Sequence, residues 1–151
     1  FGAVLDMVLD RISTASLFAI LANAYPNIAV IFYFFLGLDL GSHWLQMCST
    51  YMAGDLSHKG DNKDETFIVR MYYKSRFVLT ALCACAEFFG CYLYCYAKTE
   101  TKWLTENTLI QAVFVISAVG FVLKQFINFV QIKTSTHRLL EAENIPNKKA
   151  D

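Results

Sequence analysis

Charge is scarce in this sequence of 151 residues: only 17% of positions are Asp, Glu, Lys or Arg, against about 25% in an ordinary soluble domain. What charge there is balances, with thirteen basic and thirteen acidic residues, so no global basic field exists to hold a nucleic acid. Proline appears twice and glycine seven times, which excludes collagen and Pro/Gly-rich low-complexity chains. The five cysteines, Cys48, Cys83, Cys85, Cys91 and Cys95, form neither a zinc spacing nor a secreted disulfide framework, and are expected to be free thiols packed between helices. No Gly-x-Ser-x-Gly turn, glycine-rich phosphate loop or His-rich metal motif occurs.

Apolar residues are abundant instead: 56% of the chain is hydrophobic and 15% aromatic. Disorder and a coiled coil are excluded by the same richness. Four apolar segments are long enough for a helix to cross a hydrocarbon layer of ~30 Å. They run from about Ala3 to Tyr25, Ile28 to Met52, Phe77 to Tyr96 and Leu109 to Gln131, with a turn around Pro26 and a tail over 132–151. The runs do not alternate apolar and polar residues, and an open sheet cannot satisfy its edges in lipid. The expected fold is therefore an all-α, multi-pass membrane helix bundle forming a single domain.

Orientation follows from the basic residues in the connections. Lys59, Lys63, Arg70, Lys74 and Arg76 lie between the second and third runs, and Lys133, Arg138, Lys148 and Lys149 lie beyond the fourth. The opposite side holds only Lys98 and Lys102. That imbalance places the long connection, the tail and the start of the first helix in the cytosol. Lys148 and Lys149 stand fourth and third from the end of the sequence, which resembles a dilysine retrieval signal of the endoplasmic reticulum.

Gly2-x3-Asp6-x3-Asp10 is the strongest anomaly. Positions four apart drift only about 40° on a helix, so the three residues form one stripe. Two carboxylates at i,i+4 repel one another, and each is costly where a helix enters lipid. Arg11 or a divalent cation would offset both costs. Mg²⁺ suits the pair because it prefers carboxylate oxygens and keeps positions open for phosphate. Gly2, lacking a side chain, leaves room above the stripe for a bulky ligand. Two interfacial carboxylates in ordinary salt bridges would look the same.

A second cluster, Arg70, Tyr72, Tyr73, Lys74 and Arg76 with His58 and Lys59 upstream, combines basic and aromatic residues. Its guanidinium groups suit a phosphate or a polyol, although topology-holding charge and an interfacial aromatic belt would suffice. Asp39 and His43 lie one turn apart inside the second run, orienting one another, reaching a polar cavity beneath the site, or making a structural hydrogen bond between helices. Glu87 and Lys124, embedded in the third and fourth runs, are expected to pair with each other, unless Glu87 is neutral.

Phe1-Gly2-Ala3-Val4-Leu5-Asp6-Met7-Val8-Leu9-Asp10-Arg11 resembles the second half of the CDP-alcohol phosphotransferase signature. That signature reads Asp-x2-Asp-Gly-x2-Ala-Arg, then eight or nine residues, then Gly-x3-Asp-x3-Asp. Further similarity runs through Leu5-Asp6-Met7, Asp10-Arg11-x-Ser13-Thr14, Leu38-Asp39-x-x-Ser42-His43-Trp44-Leu45, Ser57-His58-Lys59 and Arg70-x-Tyr72-Tyr73-x-Ser75-Arg76. These stretches point to the branch of the family that joins CDP-diacylglycerol to myo-inositol.

The resemblance implies four membrane helices of an expected six, and an upstream portion carrying the other two aspartates. The 151-residue chain alone is then expected to be inactive. It implies Mg²⁺ or Mn²⁺ as cofactor, Asp6 as a metal ligand, and Asp10 as a metal ligand and the catalytic base. Gly2, Arg11, His43, Lys59, Arg70, Tyr73 and Arg76 are the candidate substrate-binding residues. The implied partners are CDP-diacylglycerol, myo-inositol, the lipid bilayer and a second copy of the chain, with no nucleic acid. The implied location is the endoplasmic reticulum membrane, with the site facing the cytosol. A different acceptor, or a non-catalytic transporter or scaffold using the two aspartates as ion-path residues, remains open from the residues alone.

Overall fold

The computed structural model describes residues 2–52, 76–98 and 102–143, and these are helical with no strand among them. Helix α1 spans Gly2–Ala24, α2 Ala29–Met52, α3 Arg76–Lys98, α4 Lys102–Glu106 and α5 Thr108–Glu143. A single 3₁₀ turn, Pro26–Ile28, separates α1 from α2, with Pro26 at its first position, where a missing N–H costs nothing. The Tyr25 hydroxyl donates to the carbonyl of Leu93 at 2.7 Å and clips this turn to the end of α3. At the other connection Asn107 caps α5, its Oδ1 accepting from the Leu109 and Ile110 amides at 3.0 and 3.3 Å.

The four long helices form a bundle in which α1 and α5 each pack against both α2 and α3. Among the described residues three helices are long and apolar enough to cross a membrane: Pro26–Met52, Thr80–Lys98 and Thr108–Glu143. Four crossings are expected from the sequence, and α1 is not among the three. Asp6, Asp10 and Arg11 interrupt its first half, leaving only Ile12 to Ala24 free of charge. The last helix also runs on to Glu143, well past its expected end at Gln131.

Two layers divide the interior. Toward the Pro26 turn the core is aromatic: Phe18, Leu21 and Ala22 of α1 meet Phe32, Ala86 and Phe121. Phe121 takes Phe35 edge-on at 5.1 Å and stacks on Phe89 at 4.7 Å, both favourable ring geometries. Close helix approach is permitted by glycine. A Cβ at Gly120 would lie 2.5 Å from the Cβ of Cys85, and one at Gly90 would lie 2.5 Å from Leu17 Cδ2. The other half of the interior is polar, and the outside is apolar, as Val30 at 80% and Phe77 at 82% exposure illustrate. Hydrocarbon rather than water is the solvent that favours this distribution.

Candidate active site

The polar half of the bundle is built by two seams. On α5 the buried residues Phe121, Lys124, Asn128, Gln131 and Ser135 recur at alternating steps of three and four. On α2, buried Asp39, Ser42 and Ser49 follow the same rhythm, with Gln46 between them. The seams face each other in parallel register: Asn128 Nδ2 donates to Asp39 Oδ1 at 3.4 Å, and Ser135 Oγ donates to Gln46 Oε1 at 2.7 Å, each pair 89 residues apart. Placing polar groups together here satisfies donors and acceptors that lipid would leave unpaired.

Asp39 is the hub. One of its oxygens accepts from Arg11 Nη1 of α1 at 2.7 Å, and the other stands 3.7 Å from Lys124 Nζ of α5. Asp39 and Lys124 are each only 2% exposed. His43 Nδ1 lies 2.9 Å from the Asp39 backbone carbonyl, 3.2 Å from Ser42 Oγ and 3.5 Å from Arg11 Nη1. A carbonyl can only accept, so the shortest contact assigns the proton to Nδ1. Thr14, one turn beyond Arg11, donates to Glu87 Oε1 at 3.0 Å and fixes which face of α1 turns inward.

On the other side of α1 the stripe opens outward. Gly2, Asp6 and Asp10 are all exposed, and a side chain at Gly2 would meet nothing within 4 Å. Asp10 is half exposed, and its Oδ2 accepts from Arg11 Nη2. Arg11 therefore forks, one terminal nitrogen on the buried Asp39 and the other on the exposed Asp10. Its Nε is buried without a partner among the described residues. Among those residues no three His, Cys, Asp or Glu side chains converge as a metal set. Asp6 and Asp10 do offer two hard carboxylates one turn apart and open to solvent. That suits Mg²⁺ or Mn²⁺, which is commonly held by one or two carboxylates together with substrate phosphate and water.

A CDP-diacylglycerol–inositol 3-phosphatidyltransferase of Saccharomyces cerevisiae is 41% identical over 95% of this chain and 62% of its own length. One of Arabidopsis thaliana is 40% identical over 89% of the chain and 63% of its own length. The enzyme of Rattus norvegicus is 34% identical over 99% of the chain and 71% of its own length. The chain belongs to the CDP-diacylglycerol–inositol 3-phosphatidyltransferase family. It spans less than two thirds of the length of the yeast and plant relatives. No family model and no solved structure matches it.

In this phosphatidyltransferase relative the structure brings Asp10, Arg11 and His43 into one cluster, with Gly2 and Asp6 on the open stripe above it. Arg76 is the first residue of α3. Lys59, Arg70 and Tyr73, with the rest of the basic aromatic connection, lie outside the described residues. The expected Lys124–Glu87 pair is replaced by Lys124–Asp39, while Glu87 serves Thr14. Parallel packing of α2 on α5 puts Asp39 level with Asn128 and one turn from Lys124, within reach of its side chain, a register no local pattern encodes. Asn128, Gln131 and Ser135 escape a search for ionisable groups. Their three–four spacing within an apolar helix is the signal that exposes them.

Proposed function

We propose that the chain forms part of a site that transfers a phosphatidyl group from CDP-diacylglycerol to myo-inositol, yielding phosphatidylinositol and CMP. The observation that carries this reading is the outward pair Asp6 and Asp10, set beside the buried Arg11–Asp39 ion pair in a chain whose relatives are named for that transfer. Asp6 and Asp10 would hold Mg²⁺ or Mn²⁺, which when bound neutralises charge on the phosphoryl oxygens. Arg11 occupies Oδ2 of Asp10, so the inositol hydroxyl gives its proton to Oδ1. The hydroxyl oxygen attacks the lipid-bearing phosphorus, and the bond to CMP breaks with its electron pair on CMP. Leu5, Leu9 and Ile12 stand exposed around the same turns of α1, so the acyl chains of the donor can stay in hydrocarbon beside the carboxylates.

Of the other candidates, Gly2 leaves space for the donor headgroup, and Lys59, Arg70, Tyr73 and Arg76 supply donors to phosphate or polyol oxygens. The setting is the endoplasmic reticulum membrane, with the site on the cytosolic face, where the basic connections lie, and with two copies of the chain forming a dimer.

The test uses the full-length protein. Labelled myo-inositol should enter lipid only when CDP-diacylglycerol and Mg²⁺ or Mn²⁺ are both supplied. Asp10→Asn should lower turnover by about 10²–10⁴-fold while CDP-diacylglycerol still binds. Asp6→Asn should weaken metal and donor binding together. Incorporation of glycerol phosphate or serine in place of inositol would refute the acceptor, and normal turnover in either mutant would refute the roles assigned.

A further inference from the structure

Two cations, Arg11 and Lys124, share one fully buried carboxylate, Asp39, in the polar half of the bundle. Arg11 also takes Asp10, so two cations meet two carboxylates, and the geometry of the cluster shows how the buried pair is tied to the exposed one. Arg11 spends Nη1 on Asp39 and Nη2 on Asp10, and a guanidinium is rigid and planar. Once Asp39 fixes one prong, the plane of the fork and the position of the other prong are fixed too. Asp39 is in turn held by Lys124 and by Asn128 Nδ2, so its carboxylate is gripped from α5 while it grips α1. A half-exposed aspartate beside an unanchored arginine would instead sample several rotamers.

We infer that Asp39 is a positioning residue, which through the Arg11 fork holds the Asp10 carboxylate in its reactive orientation. The inference rests on the phosphatidyltransferase reading above and deepens it. Asp39 touches no substrate in this account. Lys124 holds it in place without competing for the oxygen that Arg11 uses, since the lysine faces Oδ1 and the arginine Oδ2.

The experiment must separate positioning from mere stability, because Asp39→Asn strands the buried Lys124, while Arg11 keeps Asp10, and the variant can fail to fold. The informative variant of the full-length protein is Asp39→Asn combined with Lys124→Met, which removes both members of one buried pair. Thermal unfolding in detergent should return close to wild type. CDP-diacylglycerol binding and both KM values should stay within about threefold, while kcat falls by about 10²-fold, as for a catalytic group displaced by about 1 Å. Arg11→Lys, which keeps the charge and loses the fork, should cost clearly less in that background than in the wild type. Recovery of kcat together with stability would overturn the inference, as would a full additional loss from Arg11→Lys. Asp10→Asn measured alongside separates the two levels. If it stays active, the underlying enzyme reading fails. If it is dead while the double variant turns over normally, only the positioning role fails.

Discussion

A lysine fully enclosed in a membrane-type helix survives only with a partner, and Lys124 has Asp39 at 3.7 Å. Lys124→Ala leaves Asp39 paired with Arg11 at 2.7 Å but empties the space of a long buried side chain and removes its ion pair, and should lower the thermal midpoint in detergent. Glu87→Gln should not, because a glutamine carbonyl still accepts from Thr14 and the change is worth within about 1 kcal/mol. Equal losses from the two variants would restore the Lys124–Glu87 pairing expected from sequence. The charges themselves were legible, since ionisable residues stand out in apolar runs. Their partners were not, because the pairing depends on how α2 and α5 are aligned. The fork of Arg11 was likewise hidden: Asp10 is its chain neighbour, but Asp39 lies 28 residues on and on another helix.

At the scale of elements, the same composition that marks the helices also conceals how closely they approach. Gly90 and Gly120 read simply as glycines in apolar runs, yet each is the point where two helices touch. The two contacts differ in kind. At Gly90 an added methyl meets the far end of Leu17, a flexible side chain that can rotate away. At Gly120 it meets the Cβ of Cys85, which moves only with the backbone of α3. Gly120→Ala should thus cost about 1–3 kcal/mol by overpacking, and Gly90→Ala less. Leu17→Ala should relieve Gly90→Ala, whereas Cys85→Ala should fail to relieve Gly120→Ala because the offending Cβ remains. Unfolding midpoints of the four single and two double variants decide the matter, and rescue of Gly120→Ala by Cys85→Ala would show that the sulfur, 2.8 Å from the added carbon, is the true obstacle. Helix limits were readable wherever apolarity ends, as at the Pro26 turn. The end of α5 was not, since its last turns are polar and carry the helix beyond the apolar run.

Across the whole molecule, the length of α5 carries information about where the site faces. Its 36 residues make a helix of about 54 Å, well beyond the ~30 Å of a hydrocarbon core. The excess lies at the C-terminal end, where Lys133, His137 and Glu141 are exposed, and His137 Nδ1 stands 3.2 Å from Glu141 Oε1. Because α5 runs parallel to α2 and antiparallel to α1, this water-seeking end is the end that carries Gly2, Asp6 and Asp10. The opposite end holds Pro26, the aromatic core and the short α4 with its buried Leu104. The asymmetry of basic residues, nine lysines and arginines against two, supports the proposal that the first of these ends faces the cytosol. In sealed endoplasmic reticulum vesicles carrying the full-length protein with its native cysteines replaced by alanine, a cysteine at Glu143 should react with an impermeant maleimide added outside. A cysteine at Glu106 should react only after the vesicles are permeabilised. The reverse pattern would put the paired aspartates in the lumen, away from a cytosolic supply of nucleotide-activated lipid headgroups and inositol, and the proposed reaction would then lack access to its substrates.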